Sequence, residues 1–150
     1  MIMERTVVRF QKLDPRAVAP TYGSEDAAGA DLRAVLDAPL TLAPGETAFF
    51  GTGLAVEIPR GYVGLVYARS GLACKRGLAP ANKVGVIDAD YRGEIKVALH
   101  NHSDAPQTVE PGERIAQMVV APFLPAAYEE AASLTETDRG EGGFGSTGRK

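Results

Sequence analysis

The sequence predicts an all-β fold, a jelly-roll-like barrel or sandwich with one short helix, and three observations carry that expectation. Short segments rich in β-branched and aromatic residues recur along the chain, separated by turn clusters such as Ala43-Pro44-Gly45. Glycine and proline, at 17 and 10 of 150 residues, both exceed their ordinary usage of about 7% and 5%, which favours turns over long helices. No repeat is visible, and nothing resembles an interdomain linker before about residue 126. Residues 1–126 are therefore expected to form one core and 127–150 a C-terminal arm with a glycine-rich end. A chain of this length buries roughly 68–70% of its unfolded surface and needs no covalent staple.

Taken in order, the first expected strand is Glu4-Arg-Thr-Val-Val-Arg-Phe10, stopping near the turn former Asp14-Pro15. The run from Glu46 to Pro59, ETAFFGTGLAVEIP, is the second. Gly61 to Tyr67 reads as a strand that ends at Arg69-Ser70-Gly71, where SGLACKRG begins the one short helix. In NKVGVIDADYRGE two strand segments are expected to meet at a tight acidic turn, with Asp88 held at the end of a buried strand. The clearest strand is GEIKVALHN, where Ile95, Val97 and Leu99 alternate with Glu94, Lys96 and Ala98, the period of two that buries one face. Glu110-Pro111-Gly112 then turns the chain into ERIAQMVVAPF.

Bulk properties exclude several functions. A net charge of −3 and an isoelectric point near 5.4 leave no footprint for a protein that coats nucleic acid. Any anionic ligand must be small and locally bound. Cys74 is the single cysteine, so no internal disulfide forms, and a reducing cytoplasm is the expected compartment. The N-terminal MIMERTVVRF has no apolar run long enough for a signal peptide or membrane span. His100 and His102 have no third ligand cluster, so a surface or structural role is expected rather than a metal pair.

Four stretches carry more than a strand requires. In AGADLRA, Ala28 to Ala34, Asp31 sits between small residues, and a turn with an Asx hydrogen bond would explain it without chemistry. Arg69-Ser70-Gly71 offers a hydroxyl, free N–H groups and a guanidinium fork for phosphate oxygens; alternatively Ser70 simply caps the helix. Asp88, with Asp90 and Tyr91 beyond it, is either a turn former or a carboxylate placed for general-base work on water. The tail Arg139 to Lys150, RGEGGFGSTGRK, has the composition of a disordered end. Its order resists that reading, because Phe144 stands among glycines free to adopt positive φ and Ser146 and Thr147 follow with two hydroxyls.

Together with PGERIAQMVV, Pro111 to Val120, these stretches resemble the five ordered motifs of the trimeric dUTPases, the deoxyuridine triphosphate nucleotidohydrolases. The motifs span residues 28 to 148 in the family order. Two small departures are Ala30, where many relatives carry a larger residue, and Ala68, where many have proline. The resemblance implies a β jelly roll forming a homotrimer with active sites at subunit interfaces, binding no nucleic acid and no membrane. It implies Mg2+-dependent hydrolysis of dUTP to dUMP and pyrophosphate by water attack on the α-phosphorus, which keeps dUTP low and supplies dUMP for thymidylate synthesis. Rival readings are a dCTP deaminase or bifunctional relative on the same fold, and a catalytically silent nucleotide-binding regulator.

Carried over residue by residue, the resemblance makes Asp88 the base that orients and deprotonates water. Asn82 and the backbone of Val86, Ile87 and Asp88 would read uracil, in a hairpin slot too narrow for the thymine methyl. Tyr91 would lie against the deoxyribose, and Lys96 would line the nucleotide pocket. Arg69, Ser70, Gly71 and Gln117 would hold the triphosphate. Phe144, beside Gly145, would stack on uracil, while Arg139, Ser146 and Thr147 would reach the β- and γ-phosphates. Asp31 would meet magnesium through water.

Overall fold

The computed structural model describes residues 3–149. Its strands are β1 (Arg9–Lys12), β2 (Thr21–Tyr22), β3 (Ala30–Arg33), β4 (Leu40–Leu42), β5 (Thr47–Glu57), β6 (Tyr62–Tyr67), β7 (Leu78–Pro80), β8 (Gly85–Ile87), β9 (Glu94–Asn101), β10 (Gln107–Val109) and β11 (Arg114–Pro122), with one helix, α1 (Ser70–Arg76). Two main sheets, ordered β1-β5-β9-β7 and β2-β3-β11-β6-β8, face each other, and β10 pairs with β4 alongside. All pairings among these strands are antiparallel, as in a jelly roll.

The core lies between the sheets and is built by alternation. In β9, Ile95, Val97 and Leu99 are buried while Lys96 faces out. They meet Phe50 and Leu54 of β5, and Leu32, Ile115, Ala116 and Met118 from the opposing sheet. Full burial of each large side chain is worth about 1.5–3 kcal/mol, so the facing stripes hold the two sheets together. Asn101 is completely buried yet satisfied: its Nδ2 donates to the carbonyls of Leu42 at 3.0 Å and Ala105 at 2.9 Å, and its Oδ1 accepts from Ser103.

Helix α1 follows its sequence closely. Gly77 ends it at φ 66°, ψ 19°, the left-handed conformation that favours glycine, and its N–H returns to the carbonyl of Ala73. Ser70 does not cap the start: Arg69 occupies that position with extended backbone and no side-chain cap bond.

Three expectations need correction. The first strand covers Arg9–Lys12 rather than residues 4–10, because only this part finds a partner, in β5. The segments flanking Asp88 do not form a hairpin: β8 pairs with β6, whereas β9 pairs with β5 and β7 in the other sheet. Nor is β8 buried, since it lies at a sheet edge with Val86 62% exposed. The loop from Asp88 to Gly93 therefore crosses between sheets. After Pro122 the chain leaves the body with no further strand or helix among the described residues.

Candidate active site

Strand register assembles the first part of the site. On adjacent strands β3, β11 and β6, Asp31 is opposite Gln117 and Gln117 is opposite Tyr67, so motifs far apart in sequence share one rung. Two residues beyond Tyr67 the chain reaches Arg69. Asp31 projects from the outward face of β3 while its neighbours Ala30 and Leu32 enter the core.

A β-bulge between Arg114 and Ala116 sets the rest. It buries Ile115 and Ala116 in succession, so Arg114 and Gln117, three residues apart, face the same way. In a regular strand that spacing would place them on opposite faces.

The outcome is a pocket of about 200 Å³ that includes Asp31, Arg69, Ser70, Gly71, Arg114 and Gln117. Asp31 Oδ1 accepts from Arg69 Nε at 3.0 Å and its Oδ2 from Arg114 Nη1 at 3.3 Å. Gln117 Nε2 donates to the carbonyl of Ala68 at 2.9 Å, anchoring β11 to the entry of α1. Gly29 makes room: a Cβ there would sit 2.3 Å from Gln117 Oε1. The first backbone N–H groups of α1 have no partner within the helix, and Ser70 and Gly71, which carry two of them, line this pocket. Farther along α1, Arg76 bonds Glu113 and the carbonyl of Thr108, tying the helix to the turn that precedes β11. The pocket is thus braced at both ends of the helix.

Asp88 lies elsewhere. Ile87 pairs with Gly64 and Gly85 with Val66, so β8 carries Asp88 toward the Tyr62 end of β6, away from Arg69. Asp88 stands near Val63, about six residues from Arg69, which at about 3.3 Å per residue is roughly 20 Å. Asp88 lines a separate groove of about 960 Å³ with Val86, Tyr62, Val63, Arg60 and Phe123. The two cavities share no lining residue.

Tyr91 closes the turn after Asp88. Its N–H returns to the carbonyl of Asp88 at 3.1 Å, and its hydroxyl donates to the carbonyl of Glu94 at 2.8 Å. The ring covers Gly93, where a Cβ would come within 2.5 Å of the Tyr91 hydroxyl. Asn82 lies beside the start of β8, near Gly85, and Lys96 stands exposed on the outer face of β9; neither lines either cavity.

The arm is separate again. Residues 137–148 form consecutive turns, with Arg139 Nε on the carbonyl of Gly142 at 2.7 Å, Ser146 N–H on Gly143 and Gly148 N–H on Gly145. Phe144 is fully exposed, at φ 51°, a conformation rare outside glycine. Among the described residues, the hydrogen bonds of this stretch all stay within it.

One chain therefore gathers Asp31, Arg69, Ser70, Gly71 and Gln117, and leaves Asp88, Asn82, Tyr91, Lys96 and the arm apart from them. Arg114 escapes a reading of the sequence because period-two alternation assigns it the wrong face, and nothing in PGERIAQ announces the bulge. His100 donates or accepts at Thr47 Oγ1, 2.8 Å from its Nδ1, and its ring lies 4.5 Å from that of His102. Among the described residues no cluster of three His, Cys, Asp or Glu could hold a metal ion, and no helix is long and apolar enough to cross a membrane.

Comparison with known proteins gives the site its context. A deoxyuridine 5'-triphosphate nucleotidohydrolase of Rhizobium etli is 55% identical over 131 residues, covering 86% of this chain and 84% of that protein. The dUTPase of Staphylococcus bacteriophage 80alpha, solved with dUpNHpp, superposes with a TM-score of 0.87 at 29% identity, covering 97% of this chain and all of the other. A mutant dUTPase from phage phi11 of S. aureus, described with a structural Mg(II) ion, shares the fold at a TM-score of 0.78 and 24% identity over 87% of this chain and all of that one. The dUTPase family model matches residues 16–148, the span that holds the pocket, Asp88 and the glycine-rich arm, and the chain belongs to the dUTPase family.

Proposed function

We infer that this chain is a dUTP diphosphatase, which hydrolyses dUTP to dUMP and pyrophosphate. The observation that carries the reading is the pocket of Arg69, Ser70, Gly71 and Gln117 in a chain 55% identical to a deoxyuridine 5'-triphosphate nucleotidohydrolase. A guanidinium fork, a hydroxyl, an amide and unpaired N–H groups in one small cavity suit the oxygens of a phosphate chain. The comparisons give no support to a deaminase.

The roles of individual residues follow as proposals. Asp88 accepts a proton from the water that attacks the α-phosphorus; the new P–O bond forms as the bond to the β-phosphate oxygen breaks, and pyrophosphate leaves. Asn82 and the backbone from Val86 to Ile87 and Asp88 read the uracil edge. Tyr91, locked by its bond to Glu94, presents a rigid ring edge to the sugar. Lys96 flanks the nucleotide from the outer face of β9. The arm brings Phe144 onto the base, with Gly145 permitting the turn, and delivers Arg139, Ser146 and Thr147 to the terminal phosphates. Closure excludes water and aligns the phosphate chain with the attacking oxygen.

Because Asp88 and Arg69 stand roughly 20 Å apart on one chain, estimated from about 3.3 Å per strand residue, they must act on one nucleotide from different subunits. A homotrimer with sites at its interfaces satisfies that requirement, since a heterologous ring brings one face of each chain against a different face of the next. A reducing cytoplasm suits a chain whose single cysteine, Cys74, is free.

The donor set fits magnesium in a limited way. Asp31, the carboxylate of the phosphate pocket, already gives one oxygen to each of two arginines. It could reach Mg2+ only through water, and the phosphates would supply most ligands, in keeping with the reluctance of this ion to lose its hydration. When bound, Mg2+ neutralises phosphate charge at the scissile chain.

Pyrophosphate release measured with dUTP, dTTP, dCTP and UTP in the presence of magnesium tests the reading. Release confined to dUTP is expected. Equal release from dTTP or UTP would overturn it.

A further inference from the structure

The phosphate pocket contains a cation that the motif-based assignment leaves out. We propose that Arg114 is a second guanidinium donor to the phosphate chain, and that Asp31 is a positioning residue that holds Arg69 and Arg114 side by side whether or not a divalent cation is present. The proposal deepens the triphosphate reading and rests on it.

Charge is the first argument. Asp31 lies 3.0 Å from Arg69, and the two cancel, so a pocket with Arg69 alone would meet a polyanion with no net positive charge. Arg114, 3.3 Å from the same carboxylate, restores a net charge of about +1, the sign that favours phosphate.

Geometry is the second. The Asp31 side chain is only 12% exposed, whereas those of Arg69 and Arg114 are 26% and 44% exposed. The carboxylate is thus more covered than the two guanidinium groups, and both arginines line the cavity. Each oxygen of Asp31 takes one arginine, so their mutual repulsion is offset at a single carboxylate. Arg69 Nη1 also lies 3.5 Å from the carbonyl of Arg114, keeping the two residues adjacent. A guanidinium has five N–H donors, and among the described residues the Arg114 side chain commits one, to Asp31.

The bulge is the third. It turns Arg114 out of its regular alternation and onto the face of Gln117, which a purely structural surface arginine would not require.

The test compares binding of dUMP with that of a non-hydrolysable α,β-imido analogue of dUTP, in Mg2+ and in EDTA, to the full-length protein. Arg114→Gln should weaken the analogue roughly 10- to 100-fold, the range of one charged hydrogen-bonded contact, and leave dUMP within about twofold. Arg114→Lys, which keeps the charge but loses the fork, should fall between. Asp31→Asn should weaken the analogue by a similar factor in EDTA as in Mg2+. Equal losses for dUMP and the analogue in Arg114→Gln, or an Asp31→Asn effect that vanishes in EDTA, would overturn the proposal. Wild-type protein that binds neither nucleotide would instead overturn the dUTP reading itself. Thermal melting of each variant separates a binding loss from a folding loss.

Discussion

The pocket around Asp31 and Arg69 and the glycine-rich arm are built in opposite ways. In the pocket, Asp31 joins Arg69 at 3.0 Å and Arg114 at 3.3 Å, Gln117 is anchored to the carbonyl of Ala68 at 2.9 Å, and Asp31, Arg114 and Gln117 sit on paired strands before any ligand arrives. In the arm, Phe144 is bare and the turns close only on themselves. The difference teaches that this protein divides preorganisation from closure. On the proposed reading, binding would begin on a surface whose ordering cost is met on folding, and the nucleotide would order the arm, which would then report that the right one is present.

The largest expected effect falls where neither region supplies a substitute. Asp88→Asn should reduce kcat by roughly 10²- to 10⁴-fold, the usual contribution of a general base, with nucleotide affinity retained. Titration with a non-hydrolysable dUTP analogue alongside single-turnover kinetics measures both. Retained turnover would remove Asp88 from its assigned role.

Deleting Arg139 to Lys150 removes one side of the comparison. Turnover should fall by roughly 10²-fold, the scale of lost alignment and closure, without change in melting temperature or assembly. A body that unfolds on this deletion would contradict the separateness of the arm.

Gly29→Ala probes the other side more gently. The added methyl would meet Gln117 Oε1 at 2.3 Å and push the amide off the carbonyl of Ala68. KM for dUTP should rise by about fivefold to tenfold, since one neutral hydrogen bond is worth about 1 kcal/mol, with kcat nearly unchanged. An unchanged KM would mean that Gln117 does not touch substrate.

The smallest effect concerns neither region and serves as a control. Arg16, hydrogen-bonded to Asp14, holds that carboxylate down to about 2. A depressed folded-state value means the contribution is complete above the ordinary aspartate range and is lost as pH falls through it toward 2. Melting temperature should therefore drop slightly more in wild type than in Asp14→Asn between pH 4 and 2. No such difference would show that the pair is fully screened.

How much of this was legible in the sequence depended on whether a residue's neighbours were local. GEIKVALHN could be read outright, because one side of β9 is core and the alternation of Ile95, Val97 and Leu99 records it. SGLACKRG was legible for the same reason, with Gly77 marking the stop. Glu4 to Val8 has strand-forming residues but no strand partner among the described residues, and propensity alone does not make a strand. The supposed hairpin at Asp88 failed because alternation tells which face a strand buries and not which strand it pairs with; β6, distant in sequence, takes β8. The members of the pocket were visible as separate motifs, yet the shared rung of Asp31, Gln117 and Tyr67 that brings them together, and the inclusion of Arg114, depend on register and on a bulge that no local pattern encodes.

The separation of Arg69 from Asp88 along β6 is the structural core of the account, and complementation tests it most directly. Arg69→Ala and Asp88→Asn should each be inactive alone. Co-expressed in equal amounts, they should assemble at random, so that each mixed trimer has one interface uniting an intact Arg69 with an intact Asp88; over all trimers this is about a quarter of the interfaces, and activity should return to about a quarter of the wild-type level. Mixed trimers as inactive as their parents would mean that both residues of a site come from one chain, and would contradict it.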